Sequence, residues 1–183
     1  MKVEGASSYG AVISWETDAP CESSLEYGVE SPDEKRVQEK NPTKSHRVNL
    51  AGLKAATRYR FRPVAAGRGG TLAVGPEGTF RTERVPTPRV ASPSHPDPQD
   101  WVAKGDAVFE FSTGIRARGY LYLLDRNPDS HPTPANAQWT VESGVTLKGL
   151  DDGEFFLHVV CQDEAGNHSD VPAMNSTRRR AST

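Results

Sequence analysis

Apolar positions along this chain come in short runs that alternate with polar ones, the period of a β-strand, and helical spacing is nearly absent. In "AVISW" (Ala11 to Trp15) Ser14 sits between apolar neighbours. "SSLEYG" follows the expected turn "TDAPCE" and puts Leu25 and Tyr27 on one face. The charged stretch "VESPDEKRVQEKNPTKS" reads as an exposed loop or edge strand. "HRVNLAGL" then leads into "TRYRFRPVAA", where Tyr59, Phe61 and Ala65 share one face and Arg58, Arg60 and Arg62 the other. "GTFRT" closes the series. A second series follows: "AVFEFST", "GYLYLLD", "GVTLKGL", "FFLHVVCQD" and a short strand near "HSDVP".

The two series repeat one another. "VISWET" aligns with "VFEFST", so that Trp15 falls on Phe111. "VNLAGLKAATRYRFRPVAAG" aligns with "VTLKGLDDGEFFLHVVCQDEAG", with Leu50 and Leu53 on Leu147 and Leu150. One residue drops out of the corner, and Tyr59, Phe61 and Ala65 then meet Phe155, Leu157 and Cys161. Between the series lies "ERVPTPRVASPSHPDP", whose prolines remove backbone donors and favour extended chain, the composition of a stiff connector. The expected organisation is a sandwich over 1–84, a proline-rich linker over 85–98, a second sandwich over 99–174 and a basic polar tail over 175–183. The fold class is all-β, two tandem antiparallel β-sandwiches, with Trp15, Tyr27, Tyr59, Phe61, Phe111, Phe155 and Leu157 in the cores.

An early strand aromatic, then L-x-x-L, a short corner and an aromatic opening an alternating strand resemble fibronectin type III and related Ig-like domains. "AVISWETDAPCESSLEYG", "HRVNLAGLKAATRYRFRPVAAG" and "GTFRT" are similar to the fibronectin-type module that precedes the catalytic domain of purple acid phosphatases. Residues 90 to 172 resemble an Ig-like module repeated in large secreted bacterial and archaeal proteins. The resemblance implies a tyrosine corner at Tyr59, its hydroxyl tied to the corner backbone, and Phe155 cannot make that bond. It also implies an extracellular or cell-surface setting and no catalytic role of its own.

The net charge of −2 offers no concentrated positive field for nucleic acid. The charge is unevenly spread. Residues 1–83 hold twelve Lys or Arg against eleven Asp or Glu, whereas 84–177 hold seven against thirteen. "RRRAST" returns three arginines at the end, as a basic tail or a match to a basophilic kinase site. No apolar run is long enough to span a membrane, and "MKVEGASSYG" lacks the apolar core of a signal peptide. Cys21 and Cys161 fall in different halves and read as small core or half-buried residues rather than a disulfide.

Candidate chemistry is sparse. In "SPSHPDPQDW" His95 has only Asp97 and Asp100 nearby and no second histidine, so proline and aspartate read as turn chemistry, with Trp101 folding onto the sandwich base. Asp125, Asn127 and Asp129 alternate like the start of a calcium loop. The sixth and twelfth places, however, hold Ser130 and Asn136 where Gly and Glu are needed, leaving a weak surface candidate. Gly166-Asn167-His168 matches the G-N-H triplet of metallophosphoesterases without their other ligands and fits a turn. No G-x-S-x-G elbow is present, "GRGG" (Gly67 to Gly70) reads as a hairpin tip, and alternation turns His158 outward to solvent. The most binding-like feature is the ladder Arg58, Arg60 and Arg62, with Arg47 beside it, which suits an acidic partner or simply keeps an outer face soluble. Trp139 in a sandwich-end loop is the other ligand-binding candidate.

The expected role is a non-enzymatic spacer and protein-interaction module within a larger bacterial extracellular or surface protein. It needs no cofactor, and its partners are neighbouring domains or a glycan, with neither nucleic acid nor membrane involved. Two alternatives stand beside it: a carbohydrate- or partner-binding module, and the accessory domain pair of a secreted hydrolase or phosphatase.

Overall fold

In the computed structural model the described residues are 1–67, 70–97, 100–102, 106–170 and 172–179. They form two units, Met1–Arg84 and Val85–Thr183. The first contains β1 (Lys2–Ala6), β2 (Ala11–Gly28), β3 (Lys35–Leu50), β4 (Arg58–Ala66), β5 (Leu72–Val74) and β6 (Gly78–Arg81). The turn expected at "TDAPCE" does not divide two strands, because β2 runs through it and pairs with β3 along nearly its whole length. Two bulges bend this hairpin. Thr17 to Pro20 lie opposite Lys44 alone, and Lys40 to Pro42 lie opposite Glu22 alone. Pro20 and Pro42 therefore sit where no ladder donor is needed, and the surplus residues increase local twist.

The bend gives the hairpin a place in both layers. Its first half joins β1 to β2 and the end of β3, and its second half joins the start of β3 to β2, β4, β5 and β6. One core results, with Ile13, Trp15, Val48 and Leu50 packed with Leu25, Tyr27, Tyr59, Phe61 and Phe80. Each fully buried Phe or Leu contributes roughly 1.5–3 kcal/mol. The Tyr59 ring stacks on Phe80, with centroids 5.4 Å apart, and its hydroxyl accepts the Lys54 N–H at 2.9 Å. That bond is the tyrosine corner the resemblance implied.

The second unit contains β7 (Arg89–Ala91), β8 (Trp101–Val102), β9 (Ala107–Ser112), β10 (Gly119–Asp125), β11 (Gln138–Thr140), β12 (Gly144–Leu147), β13 (Gly153–Gln162) and β14 (Ala173–Arg179). A three-stranded sheet, β12-β9-β7, faces a five-stranded one, β11-β10-β13-β14-β8. Phe111 meets Tyr120 between them at 5.3 Å, and Phe109, Leu157, Val159 and Cys161 are buried on the same inner faces. The corner built on Phe155 has no hydroxyl; instead the Arg126 guanidinium lies 4.8 Å from the ring centroid. Gly52 and Gly149, at matching places in L-x-G-L, take φ of 70° and 65°, a left-handed turn that disfavours side chains.

Several expectations are corrected here. Within the linker span, β7 pairs with β9, and the Ser94 side chain accepts the Val108 N–H while Ser92 donates to the Val108 carbonyl, both at 2.8 Å. Side-chain hydroxyls replace the ladder there, so the proline-rich stretch is an edge of the second sandwich as well as an entry to it. Trp101 does not fold under the sandwich base: it is 52 % exposed on β8, which runs parallel to β14. The segment expected as a tail from Asn175 is part of β14, which pairs with β13 from Ala173 to Arg179. The remaining tail residues 180–183 lie outside the described residues, as do two residues of "GRGG".

Core packing is expected to show in urea melts. Trp15→Ala should cost the first unit about 3–5 kcal/mol, and Tyr59→Phe about 1 kcal/mol through the lost corner bond. Unchanged midpoints for both would contradict the core described.

A second expectation concerns the two free cysteines, Cys21 half-buried and Cys161 buried. Burial pushes the Cys161 thiol up to about 11, with the nearby Asp163 adding to the rise. The unfolded chain releases that proton near pH ~8.5, so the native state loses stability as pH rises from there through about 11. Cys161→Ala should flatten this alkaline decline in melts recorded across pH 8 to 11. A thiol reagent should modify Cys21 alone until urea is added.

Candidate functional site

The arginine ladder is real as geometry and mostly neutralised as charge. Arg58 and Arg60 are exposed on the outer face of β4, while Tyr59 and Phe61 are buried on the inner face. Arg60 Nε pairs with Glu77 at 2.6 Å, and Arg62 Nε with Glu26 at 2.8 Å. Glu26 also bonds Arg36 and is only 8 % exposed. The Arg62 hydrogen bond holds its carboxyl below the usual carboxylate range; burial opposes this and Arg36 adds to it. Arg47 Nε reaches Glu4 at 2.8 Å and likewise holds that carboxyl low, with help from Ser14. At the start of β4, Arg58 faces Arg81 across the strands.

Histidines and acids serve turns and packing. His46 is buried, stacked 5.2 Å from Trp15, with Nδ1 donating to Glu39 at 2.8 Å. His95 is buried with Nδ1 2.8 Å from Ser94 Oγ. His158, expected to face solvent, is 1 % exposed, and Nε2 donates to the Asn127 carbonyl at 2.9 Å. Alternation does place it on the outer sheet face, but the chain following β10 crosses that face and covers it. The oxygens of Asp125 and Asn127 accept the N–H groups of Asn127 and Asp129 at 3.0 and 3.1 Å, and Asp125 also accepts the Ser130 hydroxyl. The calcium-like alternation is thus a series of Asx turns. Around the G-N-H triplet, buried Asp163 accepts the N–H groups of Ala165 and Asn167 and the Asn167 amide. Among the described residues no three His, Cys, Asp or Glu side chains gather as a metal-holding group.

Two hollows remain. One, of about 760 Å³, lies in the first unit beside the bend of β2, lined by Trp15, Cys21, Pro63 and Val74. The other, of about 530 Å³, lies on the second unit and brings Trp139 together with Arg118, Gln162 and His168 over Leu121 and Val141. Trp139 is not in a loop but on β11, opposite Leu121. Arg118 and Gln162 carried no signal in the sequence, and His168 stood out only in the G-N-H triplet, because only strand register makes them neighbours.

No protein-family model matches the sequence, and no curated protein matches it either. Among solved structures, the chain is similar to the two fibronectin type III domain segment from chicken tenascin, at 18 % identity, TM-score 0.46, covering 97 % of this chain and 96 % of that one. It is also similar to the fibronectin(III)-like modules of Clostridium thermocellum CbhA, at 13 % identity and TM-score 0.36, covering 98 % and 94 %. A third likeness is to the FN1–FN3 domains of chicken CNTN1, at 15 % identity and TM-score 0.34, covering 98 % of this chain and 63 % of that one. The fold rests on the sheets themselves. Both units are all-β, built from largely antiparallel sheets around their own cores. The phosphatase-type likeness of the first unit stays a resemblance of sequence.

Glu26 offers a clean electrostatic test. Its folded carboxyl binds a proton less readily than in the unfolded chain, so the pairing stabilises above the ordinary glutamate value of about 4.3 and is lost as pH falls below it. Acid melts of Glu26→Gln should show a shallower loss of stability below that pH than the parent, with reduced stability at neutral pH. Parallel curves would contradict the pairing.

Proposed function

We propose that the chain is a non-enzymatic structural and protein-interaction unit, which spaces and positions neighbouring domains of a larger extracellular or cell-surface protein. The observation that carries this reading is the use made of the ionisable side chains. Arg47, Arg60, Arg62, His46, His158, Asp125 and Asp163 each engage a turn, a backbone group or an ion pair within their own unit. A catalytic constellation would instead leave a base and a nucleophile aimed at a shared cavity. Residues 1–84 and 85–183 would act as separate modules, each with its own core. Contact with a neighbouring domain has a plausible physical route at β5, a sheet-edge strand with Leu72 and Val74 exposed at 62 % and 58 %. An extended segment of a partner could add to that edge.

The test is to read the gene outward from both ends of these residues and to assay the pure protein. Further sandwiches, a leader peptide or a catalytic domain in the same frame is the expected finding. The two modules, produced separately, should each fold and melt cooperatively. Turnover of p-nitrophenyl phosphate by the protein loaded with zinc or manganese would overturn the non-enzymatic reading, and a frame confined to these residues would overturn the spacer reading.

A further inference from the structure

We propose that the hollow beside Trp139 is a carbohydrate subsite that takes one pyranose ring. The register places Trp139, Leu121 and Val160 on one face of the five-stranded sheet, the face opposite Tyr120 and Val159. In an antiparallel sandwich that outer face is ordinarily polar and solvated. Here Trp139 and Val141 remain 45 % and 68 % exposed above a floor formed by Leu121.

The indole is held by a device specific to this spot. A Cβ on Gly119 would meet Trp139 Cζ2 at 2.4 Å and Cη2 at 2.7 Å, so the benzo edge of the ring rests on bare backbone that any other residue would deny it. An aromatic fixed in this way gives up little freedom on binding. Part of the polar rim is fixed too. Gln162 Nε2 lies 3.0 Å from His168 Nε2, the two residues form a β-bridge, and the Arg118 N–H donates to the Gln162 carbonyl at 2.9 Å. The turn between them is closed by the buried Asp163 carboxylate, which accepts the Asn167 N–H at 2.9 Å.

The chemistry of this lining selects the ligand class. A half-exposed indole offers a face for the C–H side of a sugar ring. An imidazole, a carboxamide and a guanidinium line the same hollow and can supply donors and acceptors to ring hydroxyls. The described lining includes no carboxylate, in a half of the chain where acidic residues are in excess. At about 530 Å³ the hollow is at the small end of ligand pockets, suited to one ring rather than a folded partner. Arg118 would favour a uronate over a neutral sugar.

The intact chain should be titrated with cellopentaose, xylopentaose, chitopentaose and pentagalacturonate while the three tryptophan indole N–H resonances are followed by NMR. The expected result is a saturable shift of the Trp139 signal by at least one of them, with Kd on the order of 1 mM. Trp139→Phe should weaken binding a few-fold and Trp139→Ala by about tenfold or more, with both variants keeping the parent's melting temperature. Arg118→Ala should act on pentagalacturonate more than on the neutral sugars. Flat titrations with all of these probes at about 10 mM, or shifts that persist unchanged in Trp139→Ala, would overturn the proposal. A proline-rich peptide that shifts the same resonance while every sugar stays silent would do so too.

Discussion

The first unit depends on one hairpin bending back on itself, because β2 and β3 supply strands to both layers and no core can close until they turn the corner. The bulges at Thr17–Pro20 and Lys40–Pro42 provide that turn without breaking the chain into separate strands. Polar bonds brace it. Trp15 Nε1 donates to Ser23 Oγ at 3.1 Å, and Ser23 in turn donates to the Val64 carbonyl on β4, so the central indole is tied across the bend to the opposite layer. On the other strand His46 stacks on Trp15 and bonds Glu39. These buried polar groups cost desolvation, and each is partnered within the bend itself.

The second unit meets the same requirement differently. Its sheets are joined without one long bent hairpin, and the chain before β9 is fastened by Ser92 and Ser94 hydroxyls where a regular ladder would otherwise run. Its five-stranded sheet is covered on both faces along β13, whose residues Leu157 to Cys161 are all buried. Inner-face Leu157 and Val159 pack against the other sheet, while outer-face His158 lies under the segment after β10. The outer face is open beside β11, where Trp139 stands on Gly119, and also along β14 and β8, where Met174 and Trp101 are half exposed. An apolar floor, a fixed aromatic and a polar rim coincide beside β11.

Charge in this chain works mainly at short range. The ladder on β4 would present a cationic stripe if its partners lay elsewhere, yet Glu26 reaches it from β2 and Glu77 from the connection between β5 and β6. The pairing of Glu26 with both Arg36 and Arg62 crosses three strands, and its near-complete burial makes it more effective than a solvent-exposed pair. The surface that results is locally balanced in charge.

Much of the fold was legible because alternation, L-x-x-L and the corner aromatic are local signals, each set by strand geometry over a few residues. Trp15 and Phe111 could be assigned their buried places from side-chain period and the repeat, and Tyr59 its hydroxyl bond from what the resemblance implies. The bend in β2 was read as a turn, because proline and polar residues look alike in a turn and in a bulge. His158 was read as solvated, because period 2 gives the face of a strand but not what lies over it. Trp139 could be picked out as an uncommon residue and His168 within a G-N-H triplet, whereas Arg118, Gly119 and Gln162 could not. The sequence by itself determined which residues alternate into strands, where the corners fall and that two such series repeat. Only the tertiary structure decided which arginines are neutralised, which histidine is covered and which side chains meet around Trp139, because those contacts join strands whose register no local pattern encodes.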